Sequence, residues 1–176
     1  MTSQTLELMI EESPTRHGVK PVPHALLNRE QRGLLARLDA YDAPWLEEKL
    51  LKEGTFSSPQ EYQEAFTEFK KYVALYGLNH KPLKMSSKKV DSVWHQFILF
   101  TPQYHQFCDE MLGGYMHHTP TTSFTPSLEG SGNLFNRSYQ EIFGAIPKIW
   151  DSSKGIFGDR SSENCLGGGC MCGCNP

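Results

Sequence analysis

The 176-residue chain carries 17 Lys+Arg against 20 Asp+Glu, a formal net charge of −3, with 38 % apolar and 21 % charged residues. That length buries a core without disulfides or a structural metal, and the near-balanced charge gives no general attraction to nucleic acid or anionic lipid, so neither is expected as a partner. The longest apolar runs fall well short of a membrane span.

The opening residues are acidic (Glu7, Glu11, Glu12) and lack the basic start and apolar stretch of a secretory signal, which predicts a cytoplasmic location. Residues 1–23, polar and interrupted by Pro14, Pro21 and Pro23, read as a disordered or loosely docked N-terminal arm. A helical domain follows over 24–150. Asn28 with Gln31 forms a capping box for a first helix, whose Leu27, Leu34, Leu35 and Leu38 share a face. A short helix after Asp42 has Pro44 in its first turn and stops at Gly54. Ser58-Pro59-Gln60-Glu61 starts a third helix with an N-cap, a first-turn proline and a capping-box glutamate. Its stripe of Tyr62, Phe66, Phe69, Val73 and Tyr76 marks a core helix, and Gly77 is expected at the C′ position.

After a linker with Pro82, Ser86-Ser87 caps a helix carrying Val90, Val93, Trp94, Phe97 and Ile98. Thr101-Pro102 repeats the cap-plus-proline signal, so a second helix follows at once and runs to Gly113-Gly114, giving a helical hairpin or sharp bend. Residues 119–133 read as a loop, and a last helix spans Phe135 to Ala145, with Pro147 ending it and Trp150 packing back. Residues 151–176 turn to Ser, Gly and Cys, a flexible tail. With no convincing strand pair, the expectation is an all-α, compact single-domain bundle of about five to six helices.

The chemistry-bearing residues gather between 91 and 118. Asp91 and His95, four apart, share a helix face one turn apart, as do His105 and Cys108, three apart. His117-His118 follows where the chain leaves the second helix of the hairpin. Carboxylate, imidazole and thiolate are ligand types for zinc or another transition metal ion. The expected set is Asp91, His95, Cys108 and His118, with His105 and His117 as spares. Structural readings stand beside each: Asp91 complements the positive end of its helix, His95 is a buried neutral imidazole, Cys108 is a core thiol beside Tyr104, Met111 and Leu112, and His105 and His117 face solvent. Trp94, Phe97, Tyr104 and Phe107 are read as core. The lysines at 81, 84, 88 and 89 are read as a solvated face.

Glu61, Tyr72-Val73-Ala74-Leu75, Val90-Asp91, Trp94-His95, Ile98-Leu99, Tyr104, Cys108 and His117-His118-Thr119-Pro120, with a closing Phe143-Gly144, Pro147 and Trp150, together resemble the bacterial glycine-rich domain-containing proteins. These are related to a domain of unknown function in plant glycine-rich domain proteins. The resemblance implies a domain over residues 45–150 and no particular reaction. Relatives carry a second histidine two residues after the first. Phe97 stands there in this chain, which shifts weight to His95 with Cys108 and His118.

Of five cysteines, only Cys108 lies in the body; Cys165, Cys170, Cys172 and Cys174 crowd the C-terminal tail, where disulfides would close only small loops. Alternating thiols on a Gly-rich chain can wrap a soft cation. The tail also admits an inert role, or engagement by a protein partner or a tail-modifying enzyme. The functional expectation is a cytoplasmic helical metal-binding protein whose tail captures or transfers metal. The alternatives are a hydrolase-like metal-dependent enzyme at the same centre, and an interaction module with a structural Asp91–His95 pair. Four filled ligand positions favour storage; three favour catalysis.

Overall fold

The computed structural model describes residues 27–81, 83–119 and 130–151, and the backbone of 170–171. The N-terminal arm and most of the tail expected from sequence lie outside the described residues. The fold is all-α, with six helices among the described residues: α1 (Arg29–Ala40), α2 (Pro44–Lys52), α3 (Pro59–Asn79), α4 (Lys88–Leu99), α5 (Thr101–Leu112) and α6 (Ser131–Phe143). A 3-10 turn (Lys148–Trp150) follows α6. None of these helices is long and apolar enough to cross a membrane.

Local chemistry starts the helices. The Asn28 side chain accepts from the Gln31 N–H at 2.8 Å while Gln31 accepts from the Asn28 N–H at 2.9 Å, a complete capping box. Ser58 and Ser87 cap α3 and α4 through their hydroxyls. At α5 the reading differs: Phe100 is the N-cap and Thr101 is already helical, so no side chain caps that helix. A single residue therefore separates α4 from α5, and the hairpin is as tight as two helices allow.

Helix α3 is the spine. It packs against α1, α2, α4 and α6, burying Tyr62, Phe66, Phe69, Tyr72 and Val73. Each such side chain contributes about 1.5–3 kcal/mol on burial. Phe69 meets Trp94 and Phe97 of α4 and Phe107 of α5 with ring centroids 6.1–6.2 Å apart. Tyr72 lies against Trp94, Phe135 and Trp150, and its hydroxyl donates to the Leu83 carbonyl at 2.8 Å.

Gly77 is not the stop signal. Helix α3 continues to Asn79, and His80, at φ 49°, takes the left-handed cap. Gly77 serves close approach instead: a Cβ there would lie 2.9 Å from Leu112 Cδ2 and 3.0 Å from Leu34 Cδ2, where α1 and α5 cross α3. Two further corrections concern the later chain. Helix α6 starts at Ser131, four residues before the expected Phe135, from Gly130 at φ 79°. A two-residue antiparallel ladder is also present, with β1 (Lys84–Met85) facing β2 (Cys170–Met171) in the register Lys84↔Met171 and Met85↔Cys170.

Two charged contacts set the helix positions. Glu61 accepts from the Ser57 N–H at 2.7 Å, and Lys89 at the start of α4 donates to the same carboxylate, so one of the lysines read as solvated ties α4 to α3. The Lys89 hydrogen bond, with that from Ser57, holds the Glu61 carboxyl below its usual value of 4.5. A depressed carboxylate contributes stability that is present above its unfolded-state pKa and lost as pH falls through the lower folded value. Glu61→Gln is therefore expected to lower the urea midpoint at pH 7, with the gap to wild type closing below pH 4.5. A gap unchanged down to the acid transition would show that the ion pair contributes nothing.

Candidate metal centre

The site grows out of the α4–α5 hairpin. With the Ser87 hydroxyl accepting from the Val90 N–H, Asp91 falls in the first turn of α4, where the helix dipole favours a carboxylate. His95 sits one turn later on the same face. His118 arrives from the segment beyond α5. Gly113, at φ 69°, ends that helix in the left-handed conformation and lets the chain turn back along α4.

That returning segment is anchored by a buried relay. The Trp94 indole N–H donates to the Tyr104 hydroxyl at 2.8 Å, and the hydroxyl donates to the Met116 carbonyl. Burial, then the neighbouring Cys108, push the Tyr104 phenol well above its ordinary range, so it stays a neutral donor. Met116, two residues before His118, is fully buried. The His118 ring then stands edge-on to Trp94, centroids 4.3 Å apart, with only 4 % of its side chain exposed.

Three side chains converge as a result. His118 Nε2 lies 3.0 Å from one Asp91 carboxylate oxygen, and His95 Nδ1 lies 3.7 Å from the other. The His95 and His118 ring centroids are 4.3 Å apart. One ligand atom from each residue lies within 4.8 Å of the others. Ligand atoms at metal bonds of 2.0–2.1 Å in a tetrahedral shell stand about 3.3 Å apart, so a modest contraction of this group encloses a zinc-sized ion. Exposure is graded, from buried His118 through Asp91 at 20 % to His95 at 54 %. The open side faces water through His95.

The other candidates are elsewhere. Cys108 is fully buried outside this group, near the phenols of Tyr41, Tyr104 and Tyr115 on the inner side of α5. The same residue type that can bind a metal is used here as a core thiol. His105 pairs with Asp109 at 3.0 Å, and His117 lies against the Tyr115 ring, centroids 4.8 Å apart; both are exposed and outside the group. Cys165, Cys172 and Cys174 fall outside the described residues, and Cys170 is described only as backbone in β2. The sequence reading missed the hydroxyl of Tyr104. A tyrosine and a tryptophan on one apolar stripe both carry polar ends that need partners in a core, and that was the available signal.

The donor set is two imidazoles and one carboxylate. It suits zinc with a fourth position left open, and it is equally the ligand set of non-haem iron centres. Two clefts among the described residues lie away from it, one against Arg37, His80 and Gly113 and the other against Arg32, Lys70 and Phe143.

The chain belongs to the UCP032817-like family, whose model matches residues 35–142, a stretch that holds the triad and both helices of the hairpin. This corrects the resemblance to glycine-rich domain-containing proteins, because the matching model is that of a different family. No curated protein and no solved structure matches the chain.

Proposed function

We propose that this protein binds a divalent transition metal, zinc in the first instance, on Asp91, His95 and His118. The observation that carries the reading is the convergence of their three ligand atoms within 4.8 Å, from two separate chain segments. The most buried of the three, His118, is held by the Trp94 ring and by the relay to Met116. In this reading the thiols of Cys165, Cys170, Cys172 and Cys174 capture or hand over metal, and the protein works in the reducing cytoplasm, where free thiols persist.

A second reading, a hydrolase-like metal enzyme, is favoured by the ligand count. Three protein ligands leave a position for water, and a metal there lowers the pKa of that water and polarises a bound oxygen. Within the chain, catalysis also needs a general base in reach. Among the described residues no further His, Cys, Asp or Glu joins the group, so metal binding is the leading reading.

The test is elemental analysis of the full chain under reducing conditions, reloaded with Zn²⁺ and dialysed. It is compared with a variant carrying Ser at all four tail cysteines, and with Asp91→Asn and His118→Ala in that background. Close to one zinc per chain in the tail variant, lost in both triad variants, is the expected result. Metal that disappears with the tail thiols would make the body a scaffold and sink the triad site. Hydrolysis of activated esters that rises and falls with metal content would move the assignment to the enzyme.

A further inference from the structure

A groove of about 520 Å³ runs between α1, α3 and α6, on a different part of the molecule from the triad. Its walls are apolar, with Leu35, Leu38, Ala74 and Phe143, while three cations, Arg32, Lys70 and Lys71, line it. Lys71 is paired with the Glu68 carboxylate, whereas the other two are held by carbonyl oxygens: Arg32 donates to the Leu27 carbonyl, and Lys70 donates to those of Asp39 and Tyr41 at 3.0 and 3.1 Å. Arg32 and Lys70 have no carboxylate among their described hydrogen-bond partners. Burial draws the Lys70 ammonium below its usual range, against the opposing pull of Asp39 and Asp42. Among the described residues, Asp39 is the only acidic side chain lining the groove.

The chain carries a segment with the complementary pattern. In Thr5-Leu6-Glu7-Leu8-Met9-Ile10-Glu11-Glu12, the residues Leu6, Met9 and Ile10 have the spacing of one helical face, and three glutamates accompany them. The later apolar residues of the first 26, Val19, Val22, Ala25 and Leu26, have no acidic residue among them. The described chain begins at Leu27, whose carbonyl is bonded to Arg32, so the N-terminal segment joins the fold at the groove's own rim. Residues 13–26 span up to about 46 Å when extended, against about 31 Å for the whole length of α3. The connection is long enough to bring residues 5–12 back over the groove.

We propose that residues 5–12 of this chain dock in the groove between α1, α3 and α6, with Leu6, Met9 and Ile10 against its apolar walls and the glutamates beside Arg32 and Lys70. The segment is the groove's built-in occupant, tethered at a high effective concentration, and it shields an apolar surface that would otherwise face water. The proposal is independent of metal binding.

Zero-length carbodiimide cross-linking of the dilute full-length protein, read by mass spectrometry, tests it. The expected products are amide links within one chain from Glu7, Glu11 or Glu12 to Lys70 or its groove neighbour Lys71. These are expected to fall at least about tenfold in Met9→Asp/Ile10→Asp, where the apolar contact is destroyed and the acidic charge is increased. Absence of these links in the native chain overturns the proposal. Links that survive the double substitution would reduce the contact to non-specific charge attraction and also overturn it. Links that form only between chains in a mixture of ¹⁴N- and ¹⁵N-labelled protein would make a second copy the occupant, which is a different assembly from the one proposed.

Discussion

Glu68→Ala is expected to destabilise the protein by about 3–5 kcal/mol, the cost of breaking a buried charge network by removing one partner. For a chain of this size that lowers the melting temperature by on the order of 10 °C. Glu68 is 4 % exposed, and each of its oxygens is engaged. One accepts from Lys71 at 2.7 Å; the other accepts from the Tyr139 hydroxyl at 2.8 Å and the Trp150 indole at 2.6 Å. One carboxylate thus fastens α3 to α6 and to the turn that closes the domain. Burial and the adjacent Glu68 charge raise the Tyr139 phenol, so that hydroxyl remains a donor. Truncation leaves the Trp150 N–H and the Tyr139 hydroxyl without an acceptor in a place water does not reach. Glu68→Gln is the informative comparison. Its amide oxygen can keep the Trp150 and Tyr139 bonds while its NH₂ faces Lys71, whose side chain is 32 % exposed and can turn to water. The amide is therefore expected to cost about 1–2 kcal/mol. Equal losses for Ala and Gln in urea titrations would mean that the charge itself, rather than the acceptors, holds the three elements together.

This network also marks where reading the sequence stops. Periodicity assigns apolar side chains to the core and charges to water, and Glu68 lies off the stripe formed by Phe66, Phe69 and Val73. Nothing local distinguishes it from the solvated Glu64; what decides its burial is the indole of Trp150, 82 residues away. Helix starts were legible because their causes are local. Asn28, Ser58 and Ser87 each bond an amide three residues ahead. Gly77 misled because a glycine that ends a helix and one that lets two leucines approach look alike in sequence. Two of the three converging residues were placed together for the same reason as the caps: Asp91 and His95 are one turn apart on one helix. His118 was legible as a ligand type at a helix exit, while the distance that matters, 3.0 Å to Asp91, is set by tertiary packing. Cys108 shows the limit of that reasoning. Ligand type and helical spacing suited it as well as His105, yet its face of α5 is turned to the core, an orientation that residue type and spacing do not reveal.

Tyr104→Phe is expected to weaken metal binding about 10- to 100-fold, the usual penalty for losing a group that orients a ligand. It is also expected to lower stability by about 2–4 kcal/mol, because the Trp94 N–H and the Met116 carbonyl both lose their partner in the core. The two effects share one cause. The Tyr104 hydroxyl is the joint between the α4–α5 hairpin, which carries Asp91 and His95, and the segment beyond α5 that carries His118. Phenylalanine keeps the ring, and hence its edge-on contact with Phe97 at 5.3 Å, so the hairpin itself remains packed. What is released is Met116, and with it the ring that must stay within reach of Asp91. His117→Ala is the matched control. It alters the residue adjacent to His118 in the same segment, but its side chain is exposed and touches only the Tyr115 ring among the described contacts. Zinc competition titrations at a temperature where both variants are fully folded separate the outcomes. A weakened Tyr104→Phe beside an unchanged His117→Ala places the control of metal affinity in the relay. Affinity that survives Tyr104→Phe would mean that the Trp94 ring and the Asp91 hydrogen bond suffice to hold His118. In that case the relay serves the fold alone.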